Sequence, residues 1–235
     1  MLYTFKQFVE KRSHIELNPR LSVYEQLLPY SRLEDYYISF TDIDKLGIKP
    51  SQRIYSNTPL GVYFYPLKKT WIDANVNPED GFKWLSPDFY RRNYIWLVKR
   101  NDTNILVASK YSKLDFQEDI VKLMSIYDKN KIETYLQSAM IKDKPYCEKI
   151  YKTIYHIISN YTFSMGVDVI RFTKIFKDLG YKGILDDSEN SFMQSGEHSQ
   201  AVFFKTNDYK IIDKIINNIK PEQDDDDDDD DDDFE

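Results

Sequence analysis

The chain has 235 residues, 41% of them apolar and 15% aromatic, including 19 Tyr and 14 Phe. That composition excludes a disordered polymer, which lacks the apolar surface needed to offset ordering entropy, and the length suits one domain with a tail. The formal charge of −7 hides a basic body: ten consecutive aspartates (224–233), Glu222 and Glu235 are twelve of the 39 acids, leaving 27 against 32 Lys and Arg, or about +5.

Cys147 is the single cysteine, which excludes an internal disulfide and a Cys-based zinc cluster. With only His14, His156 and His198 besides, a His-rich metal site is not expected. Cys147 and His156 fall nine residues apart on one predicted helix, too far for their tips to meet, so Cys147 reads as a buried helix cysteine. Met1–His14 is a short amphipathic helix by pattern, without the apolar stretch of a secretory signal. No segment approaches the ~18 apolar residues of a membrane span, so the expected setting is cytoplasmic (host cytoplasm or virion if the source is viral). The expected organisation is one domain over 1–220 and a disordered poly-Asp tail over 221–235. That tail either solubilises the chain or screens the basic body from a polyanion such as nucleic acid.

In chain order, Pro19 and Pro29 break the stretch from Leu17 to Leu33 into short elements. Tyr36–Phe40 reads as a strand. Thr41–Gly47, with a capping residue first and glycine last, predicts one or two helical turns. Gly61–Tyr65 is a second strand before Pro66, and Lys68–Ala74 a short helix. Residues 94–99 and 104–108 are β-prone runs around the turn-forming Asn101-Asp102-Thr103, which predicts a hairpin. From Leu114 to Thr162 apolar residues recur at helical steps, and these stripes read as core. A helix over Val169–Leu179 stops at Gly180. The strand Gly183–Leu185 follows, then a polar loop from Asp186 to Gly196, the strand Gln200–Phe204 and a closing helix from Tyr209 to Ile219. Strands split around a helical middle imply an α+β fold.

Two separated segments carry the chemical signal. One is the strand Leu60-Gly61-Val62-Tyr63-Phe64 after the strand at Tyr36. The other is Leu179-Gly180-Tyr181-Lys182-Gly183-Ile184-Leu185-Asp186, a polar loop and Gln200-Ala201-Val202-Phe203-Phe204. In this order they resemble the ADP-ribosyltransferase superfamily, especially its His-Tyr-Glu branch and related phage and mobile-element domains. The resemblance covers about Tyr36–Tyr65 and Ile170–Ile212. It implies split small β-sheets enclosing a cleft that binds NAD as substrate. It also implies an early strand that grips the nicotinamide amide through its backbone, a tyrosine stacked on the nicotinamide ring, and a glutamate opening a late strand. Tyr63 matches the stacking tyrosine, a flat face able to cover an aromatic cation. Tyr37 or Ser39 stands where the family has histidine, with Ser39 or Thr41 at the following hydroxyl position; their hydroxyls can bond a ribose. Gln200 falls at the glutamate position, where it keeps a hydrogen bond but lacks the charge that favours an oxocarbenium-like transition state. Glu197, three residues earlier, is a candidate to supply that charge; His198 beside it is not assigned as a base.

The function implied is transfer of ADP-ribose from NAD to an unidentified protein or nucleic-acid acceptor, with Gln200, Glu197 and Tyr63 as catalytic candidates. Tyr37, Ser39, Thr41 and Tyr63 are the cofactor-binding candidates. Two alternatives stand beside it: a catalytically inactive binding module of the same fold, and a viral structural or accessory protein. No metal site is expected.

Overall fold

The computed structural model describes residues 23–47, 59–68, 92–101, 104–142, 150–166, 169–187 and 199–217. Among them are five α-helices: α1 (Val23–Leu27), α2 (Lys113–Ile126), α3 (Lys129–Lys142), α4 (Ile150–Ser164) and α5 (Val169–Asp178). The strands are β1 (Tyr36–Thr41), β2 (Val62–Pro66), β3 (Tyr94–Arg100), β4 (Leu106–Val107), β5 (Gly183–Asp186), β6 (Gln200–Phe203) and β7 (Tyr209–Ile216). They form one seven-stranded mixed sheet in the order β4-β5-β6-β2-β1-β3-β7. The α+β class expected from the sequence stands in this coarse form. The N-terminal helix, Cys147, the Lys68–Ala74 helix beyond Lys68, most of the polar loop and the acidic tail lie outside the described residues.

Three predicted elements differ. The chain from Tyr209 is a strand, not a helix, because β3 offers it an open edge from Tyr94↔Ile216 to Arg100↔Tyr209, with a bulge between Leu97 and Val98. The predicted hairpin is absent: β3 lies between β1 and β7, whereas β4 runs parallel to β5 at the other end of the sheet. The turn signal after β3 is used differently, since Asn101 N–H donates to Asp208 O and Asn101 Nδ2 to Asn207 O. Thr41–Gly47 forms no helical turn. Thr41 extends β1 opposite Tyr94, and its hydroxyl donates to Ile43 O while accepting from Trp96 Nε1, both at 2.9 Å. The cap-like residue is thus spent on the strand and its neighbour.

The sheet is strongly curled. β6 and β7 are separated by β2, β1 and β3, four interstrand steps or about 19 Å in a flat sheet. Only residues 204–208 connect them, and 206–208 form a tight 3₁₀ turn, so this connection cannot span a flat sheet. Tyr209 accordingly packs at 5.9 Å from Phe203 and 4.9 Å from Phe64, ring centre to ring centre. The face inside the curl buries Tyr37, Val62, Phe64, Trp96, Val98, Ala201, Phe203 and Tyr209 in one cluster. The other face carries two clusters. α2–α5 cover Leu106, Ile184, Val202 and Phe204, while α1 packs beside Ile38, Phe40, Tyr65, Ile95 and Leu97.

Two glycines explain how β6 enters. A Cβ on Gly61 would lie 2.5 Å from Phe203 O, and one on Gly183 would lie 2.4 Å from Val202 O. Each flanking strand approaches the β6 backbone too closely for a side chain. Gly180 ends α5 at φ +103°, a left-handed conformation that glycine adopts without penalty. Gly183→Ala should therefore lower stability by about 1–3 kcal/mol, read as a lower urea midpoint. Gly47→Ala, which meets nothing within 4 Å, should stay within about 0.5 kcal/mol.

Candidate functional site

β1 and β2 are joined by two ladder pairs, Tyr37↔Pro66 and Ile38↔Tyr65. No pair joins Ser39–Thr41 to Val62–Phe64, although β1 pairs with β3 along its whole length and β2 with β6 at Val62, Tyr63 and Phe64. A seam thus opens in mid-sheet where two strands part, leaving main-chain groups outside the ladder on each side.

Alternation of side chains along a strand sorts the residues at this seam. On the helix-covered face, Asp186 of β5 pairs with Gln200 of β6, and Tyr65 follows one step on from the Phe64↔Ala201 pair. Gln200 hydrogen-bonds the Tyr65 hydroxyl. Tyr63, two residues before Tyr65, packs on the same face against the helical cluster. Its hydroxyl donates to Pro59 O at 2.6 Å, and Leu60 N–H donates to Thr173 Oγ1 of α5 at 2.6 Å. These two bonds fix the entry to β2 and hold the Tyr63 ring. Tyr155 of α4 lies near both Tyr63 and Asp186; burial first, then these two neighbours, push its phenol well above the ordinary range.

The site therefore contains a fully buried carboxylate, Asp186 at 0% exposure, beside an amide and three phenols. Such a set can hydrogen-bond the hydroxyls of a sugar and stabilise positive charge developing close by. Gln200 and Tyr63 are half-buried and so partly open to solvent.

The candidates do not all converge. Tyr63 and Gln200 share the helix-covered face. Tyr37 lies on the other face, inside the curl, edge-on to Phe203 at 5.3 Å, and Ser39 and Thr41 alternate with Ile38 and Phe40 to point the same way. All three are buried. Only their backbones can reach the seam on the Tyr63 side. Glu197 and His198 lie outside the described residues. His156 is on α4, its Nε2 2.9 Å from Asn160 Nδ2 one turn along. Sequence reasoning missed Tyr65, Tyr155 and Asp186. The first and last were accessible through strand period: Tyr65 repeats Tyr63 two residues on, and Asp186 repeats the core-facing Ile184. Read as the start of a polar loop, Asp186 is instead the last residue of β5.

Among the described residues no helix is long and apolar enough to cross a membrane, and no group of three or more acids, histidines or cysteines is placed to hold a metal ion. Compared with family models, curated proteins and solved structures, the chain matches none.

Burial raises the phenols of Tyr37, Tyr65 and Tyr209 to about 12. The native state then holds these protons more tightly than the unfolded chain, whose tyrosines titrate near 10. Their stabilisation is fully present below pH about 10 and is lost as pH rises from about 10 through about 12. Urea stability should hold up to that window and fall within it, with tyrosinate absorbance appearing alongside loss of the far-ultraviolet signal. Ionisation of these phenols near pH 10 in a still-folded protein would contradict their burial.

Proposed function

We propose that the protein binds NAD at the β1–β2 seam and transfers its ADP-ribose to a protein or nucleic-acid acceptor. The observation that carries this reading is the adjacency of segments far apart in the chain. β1, β2, β6 and β5 are consecutive neighbours in the sheet, and these are the four segments on which the resemblance to ADP-ribosyltransferases rests. The backbone of β1 at Ser39–Thr41 would take the nicotinamide amide, and Tyr63 would cover the ring. Gln200 would bond the adjoining ribose. In the transfer, nicotinamide leaves with the electron pair of its bond to C1 of the ribose. An acceptor oxygen or nitrogen bonds to that carbon and releases its proton to solvent.

Glutamine cannot act as a base or supply charge, but the carboxylate of Asp186 stands directly across the ladder from it. That arrangement puts a carboxyl group one strand away from the family's position. The same observation favours a second reading, because Asp186 is wholly buried and Gln200 is engaged with Tyr65. On that reading the seam binds NAD or a similar nucleotide without cleaving it.

The deciding experiment is incubation with NAD labelled in its ADP-ribose moiety and a cell extract, following nicotinamide release and transfer of label. On the transferase reading, wild type releases nicotinamide. Tyr63→Ala and Gln200→Ala each reduce release by on the order of 100-fold, the usual effect of losing a group that stabilises the transition state. A thermal shift with NAD but no release selects the binding module. Absence of both removes NAD from the account and leaves a structural or accessory role.

A further inference from the structure

Away from the seam, a cavity of about 400 Å³ lies between the first turns of α2 and the sheet-edge strand β4. Asp119 lines it at 7% exposure. Tyr111 and Tyr181 donate their hydroxyls to the same carboxylate oxygen, Oδ2, at 2.6 and 2.8 Å. The other oxygen, Oδ1, has no hydrogen-bond partner among the described residues. Lys110 also lines the cavity, while two neighbouring charges have other duties. Asp115 bonds Ser112 to cap α2, and Lys122 Nζ donates to Leu179 O at 2.6 Å. Glu118 is exposed and lines the cavity without an ion pair among the described residues.

A buried carboxylate oxygen without a donor is costly, and a ligand that brings donors into the cavity removes the cost. An anion would meet the carboxylates of Asp119, Asp115 and Glu118, which outnumber Lys110 and Lys122 on the lining. No cluster of acids here is arranged for a metal ion among the described residues. Aromatic rings and a carboxylate lining one space are the chemistry that holds an organic cation. We propose that this cavity binds a guanidinium or ammonium group, which donates to Asp119 Oδ1 while Tyr111 and Tyr181 line the space around it. Burial raises the Asp119 pKa above the ordinary carboxylate value, and a bound cation would reverse that trend. Among the described residues β4 pairs on one side only, with β5. The cation can therefore come from a free amine or from an arginine or lysine on an extended segment laid along that edge. The site is independent of the NAD reading.

The test is calorimetric titration of the full chain with agmatine, N-acetyl-arginine amide and N-acetyl-citrulline amide, the last being nearly isosteric with the arginine compound but uncharged. The two guanidinium compounds should bind saturably and the citrulline compound should not. Asp119→Asn is an informative variant because both phenols use one oxygen. The asparagine carbonyl can accept both bonds and place its NH₂ where Oδ1 stood. The fold should survive while guanidinium affinity drops at least about tenfold. Glu118→Lys, an exposed change, should weaken binding in the same direction without altering thermal unfolding, and it decides the matter if Asp119→Asn does not fold. An arginine within an extended peptide that binds more tightly than agmatine identifies the source as a protein segment; equal affinity identifies a free amine. Equal binding of the citrulline and arginine compounds, or no binding of either by wild type at millimolar concentration, would overturn the proposal.

Discussion

Everything in this molecule depends on how closely β6 lies between β2 and β5. The contact is possible only because Gly61 and Gly183 present bare backbone to Val202 and Phe203. With β6 seated, Gln200 is brought beside both Asp186 and Tyr65, and the helical half of the sheet is joined to the half built on β1, β3 and β7. The same insertion puts Phe203 at the centre of the inner cluster, in contact with Tyr37, Phe64 and Tyr209. Local glycine placement thus governs both the continuity of the sheet and the composition of the seam.

The two faces of the sheet divide the work. The inner face is almost wholly apolar and aromatic, and within it Thr41 accepts from Trp96 Nε1. The outer face holds the polar row of Asp186, Gln200 and Tyr65 at the boundary between two apolar clusters. Apolar burial stabilises the fold in proportion to area, whereas a buried carboxylate is tolerated only beside groups that satisfy it. The polar row gives the seam a chemistry distinct from that of the apolar clusters on either side.

Much of this was legible in the chain. The aromatic and β-branched runs at Tyr36 and Gly61 marked β1 and β2, and the glycine stop at Gly180 marked the passage from α5 to β5. The four segments that flank the seam could be picked out and ordered. What escaped depended on partners distant in sequence. Tyr209, Ile212 and Ile216 recur at helical steps, and only the free edge of β3, more than a hundred residues earlier, selects a strand. Asn101 looks like a hairpin turn until Asp208 claims its N–H. Nor could alternation say that Tyr37 and Ser39 face inward and Tyr63 outward, because that requires knowing which face of each strand meets which cluster.

The curl that draws Tyr209 against Phe203 also fixes the order in which the protein can assemble. β2, β1 and β3 come from the first hundred residues and form an antiparallel three-stranded unit, with β1 in the centre, that can pair as soon as it is made. Its two flanks are filled by β6 and β7, whose strands are supplied by residues 200–216. A chain growing from its N-terminus must therefore carry both edges of that unit uncovered through synthesis of the helical middle. Final closure comes in one late event, when a five-residue link delivers a strand to each side. Such long-range closure makes for slow folding with sheet edges exposed meanwhile, so the growing chain is most vulnerable to mispairing just before its last strands emerge.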